Sequence, residues 1–190
     1  MPRQRLTRQQ IVEGLNLLGH LAGEENVILE ICIYGGAAMM LAYNARETTF
    51  DVDALVRPRE VGERLLLRVA QQLGLPDDWL NDGVAKFTSI MGTCAPLRVQ
   101  ELEGKAARHL RITRASAAYL LAMKCLAFRP RLGPRTGDLG DVEFLIRKMR
   151  LRTVEAVEEI LERFYPTEAF TPERRAVVVE MLRRIEESTS

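Results

Sequence analysis

Asp51-Val52-Asp53 sets two carboxylates one residue apart within the apolar run Phe50–Val56. On a β-strand, residues i and i+2 project from one face, about 7 Å apart along the backbone. Two such groups are costly to bury without a cation. Oxygen donors of this kind suit a hard divalent ion, Mg2+ above all, which commonly bridges carboxylates to the phosphates of a substrate. Gly35-Gly36, separated from Asp51 by fourteen residues, stands at the end of the β-rich run Val27–Tyr34 and the start of the apolar segment Ala37–Tyr43. A turn that opens a helix points unpaired N–H groups and the positive end of the helix dipole at any bound phosphate. A cation site beside a phosphate cradle supplies the parts for phosphoryl or nucleotidyl transfer. Taken singly, Gly-Gly is explained by a tight turn and Asp-x-Asp by a solvated edge strand; their order and spacing favour the joint reading.

Lys124 is the second chemical signal. It is the only side chain charged at neutral pH in the apolar stretch Ala117–Phe128. A buried ammonium needs a carboxylate or a phosphate as partner, whereas a lysine at the helix edge snorkels to solvent. On either account, Lys124→Met is expected to leave thermal stability unchanged or raised. Asp138 and Asp141 compete as its downstream carboxylate; Asp141 is the preferred site residue and Asp138 the preferred cap of a helix starting near Asp141. Glu101 and Glu103 are the nearby candidates for a third metal carboxylate if Leu97–Leu102 is a strand.

The elements that must position these residues follow from periodicity. Thr7–Ala22 reads as a helix with a Thr7/Gln10 capping box and one apolar face of Ile11, Leu15, Leu18 and Ala22. Val27–Tyr34 and Phe50–Val56 read as strands, the second with Phe50, Val52 and Ala54 on one face and Asp51, Asp53 and Leu55 on the other. Val61–Leu73 is an amphipathic helix; Trp79-Leu80 anchors the turn after it; further strands are expected near Lys86–Ile90, Leu97–Leu102 and His109–Thr113. Helices follow at Ala115–Phe128, Asp141–Arg150, Val154–Phe164 and Pro172–Glu187, the last with Thr171 as N-cap and Pro172 at the first helical position. Arg129–Gly137 is rich in proline, glycine and arginine and reads as a loop. The expected fold is α/β (α+β), with a mixed-sheet core over residues 1–113 and a helical region over 114–190 that completes the site.

Composition narrows the function. With 47% hydrophobic and 28% charged residues among 190, the chain has the balance of a folded domain. No apolar stretch approaches a membrane span and no apolar segment follows the charged N-terminus, so a soluble, cytoplasmic protein with no membrane partner is expected. Three widely spaced cysteines and two histidines fit neither a disulfide scaffold nor a thiolate zinc site, and Cys32 and Cys125 read as core residues. The net charge of +1 is uneven: residues 104–152 carry twelve basic and three acidic groups. Such a window suits nucleotide phosphates, RNA or both; its plainer alternative is a helical surface of solvated arginines.

The string Gly35-Gly36, helix, Asp51-Val52-Asp53 resembles the signature of the DNA polymerase beta-like nucleotidyltransferase superfamily. The fuller string, Gly35-Gly36-Ala37-Ala38 through Arg46-Glu47-Thr48-Thr49-Phe50-Asp51-Val52-Asp53, with Leu120-Leu121-Ala122-Met123-Lys124 and Asp138-Leu139-Gly140-Asp141 downstream, looks like the prokaryotic abortive-infection-type nucleotidyltransferases. The resemblance spans about residues 34–145. It implies transfer of a nucleoside monophosphate from an NTP, with Asp51 and Asp53 holding Mg2+ and Gly35 and Gly36 cradling the triphosphate. Lys124 would meet the triphosphate, Asp141 would support the site, and Arg46 would assist. By likeness to toxin members of that group, the acceptor is the 3′ end of tRNA and a cognate antitoxin is a partner. Related minimal nucleotidyltransferases modify a protein instead, and a nucleotide- or RNA-binding module without turnover is the non-enzymatic alternative.

Overall fold

The computed structural model describes residues 5–128 and 137–188. The helix α1 (Arg8–Glu24) begins where the sequence placed it. The Thr7 side chain accepts from the Gln10 amide, and the Gln10 side chain returns a bond to the Thr7 backbone, so two otherwise unpaired donors are satisfied. Its apolar stripe of Ile11, Leu15, Leu18 and Ala22 is fully buried. A short pair, β1 (Leu6–Thr7) with β3 (Thr48–Thr49), lies at its start.

The main sheet has five strands: β2 (Leu29–Ile33), β4 (Val52–Arg57), β5 (Leu80–Asn81), β6 (Cys94–Pro96) and β7 (Leu110–Ala115). Their order is β5-β4-β2-β7-β6. The pairs β2/β4 and β6/β7 are antiparallel, while β2/β7 and β4/β5 are parallel. The sheet is therefore mixed, and the chain is a mixed α/β fold. The helix α2 (Gly35–Tyr43) joins β2 to β4; its Ala37–Leu41 run is buried almost all round, which is why its sequence shows no polar face. The helix α3 (Arg59–Leu73) buries Leu65, Leu66, Val69 and Ala70 beside β4, while Leu73 at its end is exposed. Trp79 is fully buried, as expected of an anchor, and donates its indole N–H to the Leu66 carbonyl.

Two expected strands are absent among the described residues. In place of one over Lys86–Ile90 there is a single 3-10 turn, Ala85–Phe87, and Ile90 is wholly exposed. The backbone there serves other partners: the Ser89 N–H donates to the Tyr119 hydroxyl at 2.5 Å, and Tyr165 Oη donates to the Phe87 carbonyl at 2.8 Å, while the Ser89 hydroxyl donates to the Phe164 carbonyl. Leu97–Leu102 is likewise not a strand. Asn16 takes the Glu101 carbonyl at 3.1 Å and Arg8 takes its carboxylate, holding the segment as a turn that leads into a helix the sequence reading missed, α4 (Gly104–His109).

Four helices follow: α5 (Ala117–Ala127), α6 (Gly137–Met149), α7 (Val154–Phe164) and α8 (Pro172–Glu187). Ser116, Thr153 and Thr171 cap α5, α7 and α8 through their side chains. α5 packs on α6 and α7, and α8 on α6 and α7. Among the described residues, no helix is long and apolar enough to cross a membrane. Two compact units result, Met1–Lys86 with Cys94–Ala115, and Phe87–Thr93 with Ser116–Ser190. Within the second unit, Phe87 and Ser89 are bonded to Tyr165 and Phe164 at the end of α7.

Gly19 on α1 shows how tightly α4 is seated. A Cβ there would lie 2.5 Å from the Cα of Ala106, against backbone that cannot swing aside. Gly19→Ala is expected to lower stability by about 1–3 kcal/mol through overpacking, measured as a shift in urea midpoint at unchanged slope; an unchanged midpoint would mean that α4 is not packed there.

Candidate functional site

In the first unit the predicted residues converge. β2 runs into Gly35, whose φ of +58° lies in the left-handed region that favours glycine. The Gly35 backbone approaches Asp53 so closely that a Cβ on it would sit 2.5 Å from Asp53 Oδ2. A Cβ on Gly36 would meet Thr49 Oγ1 at 2.7 Å and Arg46 Nη1 at 3.0 Å. Gly35, Gly36, Arg46, Thr49 and Asp53 thus form one cluster at the N-terminal end of α2. The strand register makes this possible: Ile33 is opposite Ala54, and the Tyr34 N–H donates to the Asp53 carbonyl at 2.8 Å.

Burial alternates along the carboxylate strand, with Val52 and Ala54 in the core and Asp51, Asp53 and Leu55 half-buried. The two aspartates thus follow the expected one-face pattern, although Asp51 lies one residue before β4. Phe50 departs from that pattern. It is 43% exposed and its ring lies under the Arg5 guanidinium at 4.4 Å, because the chain between β3 and β4 breaks from regular strand there. Asp51 Oδ2 accepts from Asn81 Nδ2 at 3.1 Å, and Asn81 is held in turn by the Gly83 N–H donating to its Oδ1 at 2.9 Å. Neither Asn81 nor Thr49 was singled out from sequence; the Asn81-Asp82-Gly83 turn signal marks the first, and nothing distinguishes Thr49 from a strand threonine.

Among the described residues, no group of three or more His, Cys, Asp or Glu side chains is arranged to hold a metal ion. Two carboxylates remain, which suits an ion completed by phosphate oxygens and water and does not suit an all-protein cage. The expected third carboxylates fall away with their strand. Glu101 is engaged by Arg8 at 2.9 Å, and its own backbone amide together with Arg8 holds its carboxyl below the ordinary value; Glu103 stands at the N-cap of α4.

In the second unit, Lys124 is 8% exposed and Asp141 3%. The Lys124 ammonium lies 2.7 Å from Asp138 Oδ1 and 2.9 Å from Asp141 Oδ2. The counter-charge that the sequence demanded is therefore present as carboxylate, shared between both candidates. Asp138 sits in the first turn of α6, inside the helix and not at its cap, since α6 begins at Gly137. Arg129, Arg131 and Arg135, the arginines of the expected loop, lie outside the described residues. The other basic residues of the 104–152 window are divided between the units, and some are paired, Arg111 with Glu30 and Arg147 with Glu143.

No family model, curated protein or solved structure matches this chain.

The Lys124 cluster reverses the expected sign of one substitution. Lys124→Met leaves Asp141 buried and uncompensated, so the loss is expected to be about 3 kcal/mol in chemical denaturation. The double variant Lys124→Met/Asp141→Leu removes both buried charges and should recover most of it. A single variant as stable as the parent would mean that Lys124 snorkels.

Proposed function

We propose that the chain is a metal-dependent nucleotidyltransferase, built on a polymerase beta-like core, that moves a nucleoside monophosphate from an NTP to an RNA acceptor, the 3′ end of tRNA being the acceptor of choice. One observation supports the reading: the Gly35-Gly36 turn and the Asp53 carboxylate, both part of the string that resembles the signature, occupy adjoining space. Asp51 and Asp53 would hold Mg2+, whose chemistry when bound is to polarise the α-phosphoryl group and ease deprotonation of the acceptor hydroxyl. The free N–H groups that open α2 would take the β- and γ-phosphate oxygens. Arg46, beside Gly36, adds positive charge at the same end of the helix. The acceptor oxygen would form a bond to the α-phosphorus as the bond to pyrophosphate breaks, and pyrophosphate leaves. The basic window 104–152 supports a polyanionic acceptor, and a toxin paired with a cognate antitoxin is the biological setting of this reading.

The test is incubation with NTPs labelled at the α-phosphate, Mg2+, total tRNA and the purified protein. Label is expected on RNA, and Asp53→Ala is expected to reduce it by at least a hundredfold while the thermal transition stays within a few degrees. Label on protein alone would move the acceptor class to polypeptide. Wild-type turnover in Asp53→Ala would overturn the catalytic assignment.

A further inference from the structure

Cys32 and Cys94 are far apart in sequence and lie on strands to either side of β7, yet their Sγ atoms are 2.6 Å apart. The registers explain the meeting. Cys32 is opposite Thr113 and Cys94 is opposite Ala115, and since Thr113 and Ala115 are two residues apart on β7, all four side chains share one sheet face. On that face β7 offers only the β-branched Thr113 and the methyl of Ala115 between the flanking strands. Cys32 is also opposite Leu55, so the face is the one that carries Asp53. The hydroxyl of Tyr34, the residue before Gly35, lies 4.0 Å from Cys94 Sγ. Cys94 is exposed and Cys32 half-buried, whereas Cys125 is fully buried.

We propose that Cys32 and Cys94 are a modification site, a dithiol that hydroperoxides convert to a reversible disulfide on the sheet face that bears Asp53. The exposed Cys94 sulfur attacks the peroxide, the O–O bond breaks, and sulfenic acid and an alcohol (water, from hydrogen peroxide) are formed. The Cys32 sulfur then attacks the Cys94 sulfenic sulfur, an S–S bond forms, and water leaves with the thiol proton. The two thiols lose two electrons and the peroxide gains them. The Sγ contact of 2.6 Å compares with the ~2.05 Å of a covalent bridge, and because the cysteines sit on strands to either side of β7, closing it draws the β2 and β6 backbones toward each other. Burial, and then hydrogen bonding with Cys32, push the Cys94 thiol up to about 11. The Cys94 thiol is thus mostly protonated near neutral pH and reacts more slowly than a dedicated peroxidase thiolate. The site stands independently of the nucleotidyltransferase reading, because its chemistry needs neither metal nor NTP.

The test is treatment of the full folded chain with hydrogen peroxide, blocking of free thiols, digestion without reductant, and mass spectrometry. The expected product joins the peptide holding Cys32 to the peptide holding Cys94 within one molecule. It should be at least tenfold more abundant than either bridge to Cys125, and dithiothreitol should remove it. Oxidation of the urea-unfolded chain is expected to erase that selectivity. Cys94→Ser should leave Cys32 without a bridge. Absence of the link from oxidised folded protein, a link confined to dimers, or equal bridging to Cys125 would each overturn the proposal.

Discussion

The close approach of Gly35 to Asp53 is the constraint on which the first unit turns. Any side chain at Gly35 would have to occupy the space of the Asp53 carboxylate, and would also have to adopt a positive φ. The strand register brings the two residues together, because β2 and β4 are antiparallel neighbours and Tyr34 bonds across to Asp53. The helix α2, buried on nearly every side, then fixes where the chain must leave the turn. The same packing that closes the core delivers backbone N–H groups and a carboxylate to one place. On the proposed reading, function and stability would draw on the same few atoms.

The second unit solves a different electrostatic problem. Lys124 is buried among apolar neighbours on α5, and its cost is met by two carboxylates one turn apart on α6. Such a triad contributes less to net stability than its short distances imply, because three groups are desolvated to make it. Its effect is on specificity: α6 has one angular setting that brings both Asp138 and Asp141 to the ammonium. Arg174 acts at the same C-terminal end of α5, donating to the Leu126 carbonyl at 2.6 Å, where the helix has no further turn to satisfy it.

What was legible in the sequence was local. Helices α1 and α8 carry their own start signals in Thr7 and Thr171, and α7 and α8 begin and end where periodicity placed them. The Gly-Gly turn and the Asp pair were legible for the same reason. What failed was decided by distant partners. Leu97–Leu102 alternates like a strand, but Arg8 and Asn16 take its polar groups and no ladder forms. Helix α4 is only six residues long, too short for a periodic signal, and depends on the bare surface of α1 at Gly19. Phe50 points to solvent because β3 pairs with β1 before β4 begins. The Cys32–Cys94 contact needs the order of three strands, which no spacing reveals.

On the proposed reading, Asp51, Asp53 and the Gly-Gly turn form a joint site for a divalent ion and a triphosphate. Water-proton relaxation of the Mn2+ complex of a non-hydrolysable NTP analogue reports it directly, with no acceptor and no turnover. Addition of the protein is predicted to enhance relaxation saturably, and the enhancement should disappear when Asp51 and Asp53 are both changed to Asn in a protein that still folds. No enhancement with the wild-type chain, or an equal one with the double variant, would mean that these residues do not hold the metal–nucleotide complex.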